Sequence, residues 1–150
     1  MRRSPLAIAL TLSVGAIAAA VLVAAPAQAA PGGPASEIVR LTNAERAEAG
    51  CGPLRIDPAL TRSAQRHSER MADSGTMSHR GYSEGIRDAG YEGSGYGQNV
   101  AAGYTSASTV MRNWMGSTSH RRNILDCSFH AIGVGYVSAG SYWTQNFGTE

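Results

Sequence analysis

The sequence predicts an α+β domain in which the helices come first and most of the sheet comes last. Residues 36–75 contain two segments whose apolar residues recur every three or four positions, and residues 130–148 contain two short runs of alternating character. The first pattern is typical of amphipathic helices and the second of strands. Helices followed by strands indicate an α+β fold rather than a parallel α/β fold.

The helix boundaries follow from capping residues. Ser36 can cap a first helix that runs to about Ala49, where the segment GCGP ends it. Asp57-Pro58 predicts the start of a second helix, because Asp is favoured at the N-cap and Pro at the first helical position; Gly75 ends this helix. Two further helices are predicted over residues 84–89 and 106–115.

The remaining segments predict one loop and one hairpin. GYEGSGYGQNVAAGY, at residues 90–104, is rich in Gly and Tyr and predicts an ordered loop with little regular structure. HAIGVGYVS and SYWTQNFG, joined through Ala139-Gly140, predict an antiparallel hairpin.

The N-terminus has the pattern of a secretory signal peptide. A basic MRR precedes the apolar run LAIALTLSVGAIAAAVLVAA, and AQA supplies a small-residue cleavage site. We expect residues 1–29 to be a signal peptide, 30–36 a short linker and 37–150 the domain, so that the mature chain is secreted without a membrane span. Two alternatives stay open: an uncleaved anchor, because the run is long enough to span a bilayer, and twin-arginine export through Arg2-Arg3.

Charge and cysteines narrow the class of protein further. All 13 basic residues are Arg, and without Arg2 and Arg3 the remaining 11 equal the 11 acidic residues. This neutrality, without a recognisable basic stripe, argues against nucleic acid as the main partner.

Cys51 and Cys127 predict a disulfide in an exported chain, worth about 4 kcal/mol. A catalytic Cys–His pair is disfavoured because an exported lone thiol would be oxidised.

The segment NWMGSTSHRRNIL, at residues 113–125, raises the question of function. His120 lies between small hydroxyl residues and the pair Arg121-Arg122. The arginines can bind an anionic group or offset a helix dipole. From the residues alone, His120 is either a ligand or catalyst, or part of a capped turn.

Seven segments in order resemble the bacterial branch of the CAP superfamily, which comprises cysteine-rich secretory proteins, antigen 5 and plant pathogenesis-related class 1 proteins. The segments are LTNAERAEAGCGPL, AQRHSERMA, SHRG, GIRDAGY, GQNVAAG, WMGSTSHRRNIL and IGVGY with YWTQNFG. The resemblance covers residues 37–148. It implies a three-layer α-β-α sandwich around a small antiparallel sheet.

The resemblance also implies a cleft lined by two histidines and two glutamates, which binds zinc or another divalent ion in some members. The histidines match His79 and His120. The first glutamate belongs to a GEN motif, where this sequence has Gln98 before Asn99; the second is replaced around Ser117. Both carboxylates are therefore missing at the matched positions.

Two imidazoles and a neutral amide make a weak metal site, because zinc sites need three or four protein ligands. Glu84, five residues after His79, is a candidate substitute for the missing carboxylate. The alternative is that His79 and His120 are hydrogen-bonded to loop backbone in a polar cleft. Asn99 is expected to bond nearby backbone and to order the central loop.

The other histidines and the aromatic residues have simpler interpretations. His67 lies on the apolar stripe of the second helix, which favours a buried, hydrogen-bonded packing role, and His130 is expected at an edge or on the surface. Four aromatic residues favour core packing over a lipid-binding groove of the kind known in the superfamily: Trp114, Tyr136, Trp143 and Phe147.

The function expected from the sequence is binding of a lipid, a glycan or a protein partner in the extracellular space, with Zn²⁺ or another divalent cation as an optional cofactor. One alternative is a metal-assisted hydrolase that uses His79 and His120 around an activated water. A serine hydrolase is disfavoured because the sequence has no G-x-S-x-G elbow, although Ser117 and Ser119 lie close to His120 in sequence. The other alternative is a structural envelope domain with a vestigial cleft.

Overall fold

The computed structural model describes residues 32–150, so the predicted signal peptide lies outside the described residues. Within residues 32–150 no helix is long and apolar enough to cross a membrane. The elements, in chain order, are α1 (Pro34–Glu48), β1 (Arg55–Ile56), α2 (Pro58–Ser74), α3 (Tyr82–Asp88), β2 (Tyr96–Ala101), α4 (Ala107–Gly116), α5 (Thr118–Ile124), β3 (Ala131–Val137) and β4 (Tyr142–Gly148).

The four strands form one sheet between two layers of helices, as predicted. The strand order is β1-β3-β4-β2. Ile132 and Val134 of β3 point into the main apolar core with residues of α1 and α4. The intervening Gly133 faces α2, because a Cβ atom built on it would collide with the backbone of Leu60. Helix α2 therefore rests directly on the sheet, and α1 and α4 cover the opposite face.

The aromatic residues pack in the core, which confirms the structural interpretation over the ligand groove. Trp114, Trp143 and Phe147 have no exposed surface. Tyr136 is half-buried and lies against Trp143, with ring centroids 4.1 Å apart. The indole N–H of Trp114 donates to the carbonyl oxygen of Val100 at 3.1 Å, so this buried ring has its polar atom satisfied.

Cys51 and Cys127 form the predicted disulfide, which joins the turn after α1 to the segment after α5. A buried arginine from α1 binds the same region. Arg46 is 1% exposed and its guanidinium donates four hydrogen bonds to backbone carbonyls. The acceptors are Gly52, Ile124, Asp126 and Phe129.

Several boundaries differ from the predictions. Helix α1 begins at Pro34 with Gly33 as N-cap, so Ser36 lies inside the helix and the end of the predicted linker is helical. The segment at residues 90–104, predicted as a loop, contains strand β2. The hairpin of β3 and β4 is antiparallel as predicted, but β1 pairs with β3 in parallel, so the sheet is mixed. Helix α5 was not predicted.

Candidate functional site

Helix α5 covers the outer edge of β2 and thereby places His120. Asn123 donates from Nδ2 to the carbonyl oxygen of Gln98 at 3.1 Å. Asn99 donates from Nδ2 to the carbonyl oxygen of His120 at 3.1 Å, and its Oδ1 accepts from Asn123 at 2.9 Å. Unpaired carbonyls of an edge strand are costly when buried. Asn123 of α5 satisfies the carbonyl of Gln98 here, and Asn99 of β2 in turn fixes the backbone of His120.

Asn99 was expected among the cleft residues. It is fully buried, and its side chain is hydrogen-bonded to α5. Its Nδ2 also donates to Gln145 Oε1 at 3.0 Å, and Gln145 Nε2 donates to Thr42 Oγ1 at 2.7 Å. This network links α5 to α1 through the sheet. Asn99 does bond backbone, but the expectation that the partner is nearby is wrong: the acceptor is His120, 21 residues away, and the segment that contains Asn99 is strand β2 rather than a loop.

His79 and Gln98 meet on the other face of β2. His79 Nδ1 lies 2.8 Å from Gln98 Oε1, and Gln98 Nε2 donates to Asn146 Oδ1 at 3.0 Å. Because an amide oxygen can only accept, His79 Nδ1 is the protonated nitrogen. In the neutral form of this ring the lone pair is on Nε2, and the side chain is exposed. Gln98 therefore orients His79 and favours the tautomer whose Nε2 can bind a metal ion.

His120 has a buried nitrogen that the protein does not satisfy. Its Nδ1 has no hydrogen-bond partner among residues 32–150, and the same holds for Asn146 Nδ2. Burial lowers the pKa of His120, and the nearby His79 lowers it further. The neutral ring is therefore favoured at neutral pH. A neutral imidazole is the form that binds metal ions.

His67 fixes the loop that carries His79. Its Nε2 lies 2.6 Å from the carbonyl oxygen of Ser78, and its Nδ1 lies 2.9 Å from Nη2 of Arg70. A carbonyl accepts and a guanidinium donates, so His67 carries its proton on Nε2. The side chain is 3% exposed, which confirms the predicted buried, hydrogen-bonded role. Through Ser78, His67 positions the residue that precedes His79.

Acidification is expected to destabilise the fold through His67. Burial lowers its pKa below the ordinary 6.5; the hydrogen bond to Ser78 opposes this, and Arg70 and His79 add to the lowering. Below the ordinary pKa the unfolded state binds more protons than the folded state. The stabilisation is thus complete above pH 6.5 and lost as pH falls towards the folded pKa. Urea unfolding between about pH 5 and about pH 8 measures this slope.

The matched variants are His67→Gln and His130→Gln. His130 is exposed, as predicted, and its replacement should leave the pH slope unchanged. His67→Gln should flatten the slope. An equal slope in wild type and His67→Gln would show that another group carries the pH dependence.

The remaining site candidates do not complete a metal cage. Glu84 is exposed; it accepts a hydrogen bond from Ser83 at 3.1 Å and lies 3.6 Å from Arg87. In the described part of the chain no three His, Cys, Asp or Glu side chains are grouped to hold a metal ion. The expectation that Glu84 replaces the missing carboxylate is therefore wrong.

Ser117 lies where α4 ends and α5 begins, without a side-chain cap on α5. Its Oγ lies 3.3 Å from Oγ of Ser119. The two hydroxyls therefore meet each other at the start of the short helix that carries His120.

Asn146 is a site residue that was not predicted from the sequence. Strands β2 and β4 each contain a Gln-Asn dipeptide, and antiparallel pairing sets Gln98 opposite Asn146 and Asn99 opposite Gln145. One amide pair therefore lies on each face of the sheet. Two identical polar dipeptides inside strands with apolar neighbours were the available signal.

The sequence matches the family model of the cysteine-rich secretory protein family, CAP, over residues 39–147. The chain therefore belongs to the CAP family. It is 40% identical over 116 residues to YkwD of Bacillus subtilis (strain 168), an uncharacterized protein, covering 74% of this chain and 45% of YkwD. It is 31% identical over 116 residues to YlbC, an uncharacterized membrane protein of the same strain, covering 74% of this chain and 33% of YlbC. The chain thus spans less than half the length of these relatives.

Solved structures show the same fold. An extracellular protein from Bacillus anthracis with an SCP domain superposes with a TM-score of 0.76 at 27% identity, over 79% of this chain and 41% of that one. An outer surface protein of Borrelia burgdorferi superposes with a TM-score of 0.71 at 16% identity, over 77% of this chain and 91% of that one. The Bacillus anthracis protein is extracellular, which together with the disulfide is consistent with secretion.

Proposed function

We propose that the chain is an extracellular binding protein whose cleft, formed by His79, Gln98 and His120, takes a divalent cation together with the ligand. The observation that carries this proposal is the buried Nδ1 of His120, which has no partner among the described residues. A buried polar atom left without a partner costs about 1–3 kcal/mol. His79 is close enough to interact electrostatically with this ring, and the two features together support a bound species at the site.

The donor set fits an open, weak cation site. It offers the imidazole of His120, for which burial favours the neutral form, and the imidazole of His79, which Gln98 orients. The amide of Gln98 adds no charge. Zinc accepts imidazole nitrogen, and an open site leaves its other positions to water or ligand. A bound ion would supply Lewis acidity there. The protein's own contribution is to orient His79 through Gln98 and to anchor His120 through Asn99.

Calorimetric titration with zinc tests whether the histidines share one site. Wild type is expected to bind one ion, and His79→Ala and His120→Ala are each expected to abolish binding, because neither imidazole alone holds the metal. His130→Ala is the matched control, since His130 is an exposed histidine outside the cleft, and it should bind as wild type does. Independent, partial losses in the two cleft variants would contradict a shared site.

Gln98→Glu sharpens the same test. A carboxylate at this position can still accept from His79 Nδ1, and a flipped Asn146 amide would turn its unpartnered Nδ2 towards it. The added charge is expected to tighten zinc affinity at least about tenfold, which is 1.4 kcal/mol. Unchanged affinity would show that Gln98 does not face the ion.

A further inference from the structure

Helix α2 carries a row of arginines that the cleft does not use. Arg62, Arg66 and Arg70 follow one another at intervals of four residues and are exposed. Residues four apart lie on the same helical face, about 6 Å apart along the axis. None of the three takes part in the ion pairs found within residues 32–150. The formal neutrality of the mature sequence therefore conceals a local line of positive charge.

Three adjoining cavities follow this row. A cavity of about 610 Å³ is lined by Arg62 and Arg66, one of about 100 Å³ by Arg66 and Arg70, and one of about 620 Å³ by Arg70 and Arg80. Successive cavities share one arginine each. The four residues Arg62, Arg66, Arg70 and Arg80, here termed the arginine row, thus border one continuous surface strip.

Two members of the row are held in place by single hydrogen bonds. Arg62 donates from Nη2 to the carbonyl oxygen of Ala89 at 2.9 Å, and Arg70 donates from Nη2 to His67 at 2.9 Å. Each guanidinium has five N–H donors in a planar fork, so most donors stay available. Such forks match phosphate oxygens in a bidentate manner and lose little freedom on binding when already ordered.

We propose that the arginine row binds an extended polyanion, with separate phosphate groups of one chain contacting guanidinium groups that follow at intervals of roughly 6 Å. Three cationic forks in a line favour a polymer over a single phosphate ion, because phosphate groups of one chain can contact successive arginines at the same time. Single-stranded nucleic acid is disfavoured, since no Phe, Tyr or Trp lines these three described cavities, and such side chains are the usual stacking platforms for its bases. Asp73 and Asp88 also line the cavities and moderate the affinity.

The test compares binding of inorganic polyphosphate with binding of orthophosphate at equal phosphate concentration. The full chain is titrated in low salt, and the titration is repeated in rising salt. Wild type is expected to bind polyphosphate at least tenfold more tightly per phosphate. Arg62→Gln/Arg66→Gln should lose at least tenfold in polyphosphate affinity and make the salt dependence shallower by roughly 1.5 units of slope, by analogy with counterion release from single-stranded nucleic acid.

The matched control is Arg40→Gln/Arg112→Gln, which removes the same charge from two exposed arginines on α1 and α4, on the face of the sheet opposite α2. It should bind polyphosphate as wild type does, and thermal unfolding checks that both variants are folded. Equal losses in the two double variants would mean that only net charge matters and would overturn the proposal. Tighter binding of an oligodeoxythymidine than of polyphosphate would overturn it in favour of nucleic acid.

Asp88→Asn supplies a gain of affinity that a folding defect cannot imitate. Asp88 lines two of the three cavities beside Arg66, and its carboxylate repels a polyanion. Its neutralisation is expected to tighten polyphosphate binding several-fold. Unchanged or weaker binding would contradict the placement of the polyanion along this strip.

Discussion

Replacing Arg46 by Met is expected to lower the free energy of unfolding by at least about 3 kcal/mol. The guanidinium is 1% exposed and satisfies the carbonyl oxygens of Gly52, Ile124, Asp126 and Phe129 at 2.8–3.0 Å. Met fills a comparable volume but donates nothing, so buried carbonyls lose their partners. Because Ile124 ends α5, the loss should also loosen the helix that places His120.

Urea unfolding at pH 7 measures this effect, with Arg40→Met as the control on the same helix. Arg40 is exposed, and its one ion pair within residues 32–150 is with Glu37, so its replacement should cost less than about 1 kcal/mol. Comparable small losses in both variants would contradict the role assigned to Arg46.

Replacing both cysteines by serine is expected to cost about 4 kcal/mol. The Cys51–Cys127 bond closes a loop with a sequence separation of 76 residues, and a cross-link of that span removes considerable entropy from the unfolded chain. Denaturation of wild type with and without reductant, beside Cys51→Ser/Cys127→Ser, measures the effect. Reduced wild type should match the double variant, which should itself be insensitive to reductant.

A stability change below about 1 kcal/mol would contradict the entropic account of the cross-link. Detection of two reactive thiols in the denatured, unreduced protein would contradict the disulfide itself.

Helix α2 was predicted correctly because its two ends depend on residues that are close in sequence. Asp57 caps α2 as expected, accepting from the backbone N–H of Ala59 and Leu60 at 2.8 and 3.0 Å, and Gly75 ends the helix in the left-handed conformation. Strand β2 was missed because Gly and Asn are poor strand formers. Its polar side chains become compatible with a sheet only once β4 and α5 supply their hydrogen-bond partners.

The candidate site was predictable only in part. Resemblance to the CAP superfamily identified His79, Gln98 and His120, and folding brings Gln98 within 2.8 Å of His79. Glu84 was expected to replace the missing carboxylate because it lies close to His79 in sequence, but α3 directs its side chain to Arg87 instead. Asn146 lies 48 residues from Gln98 and meets it only through strand register, and the repeated Gln-Asn dipeptide could not reveal this pairing while β2 was predicted as a loop.

The central claim, that the histidine cleft holds a cation, is tested most directly by thermal unfolding of residues 30–150, first in EDTA and then in excess zinc. A ligand at about 100 times its dissociation constant adds about 2.7 kcal/mol, which should raise the unfolding midpoint by roughly 8 °C for a domain of this size. His120→Ala should lose the shift and His130→Ala should keep it. No shift in wild type, or an equal shift in His120→Ala, would contradict the claim and leave His120 as a structural residue of the cleft.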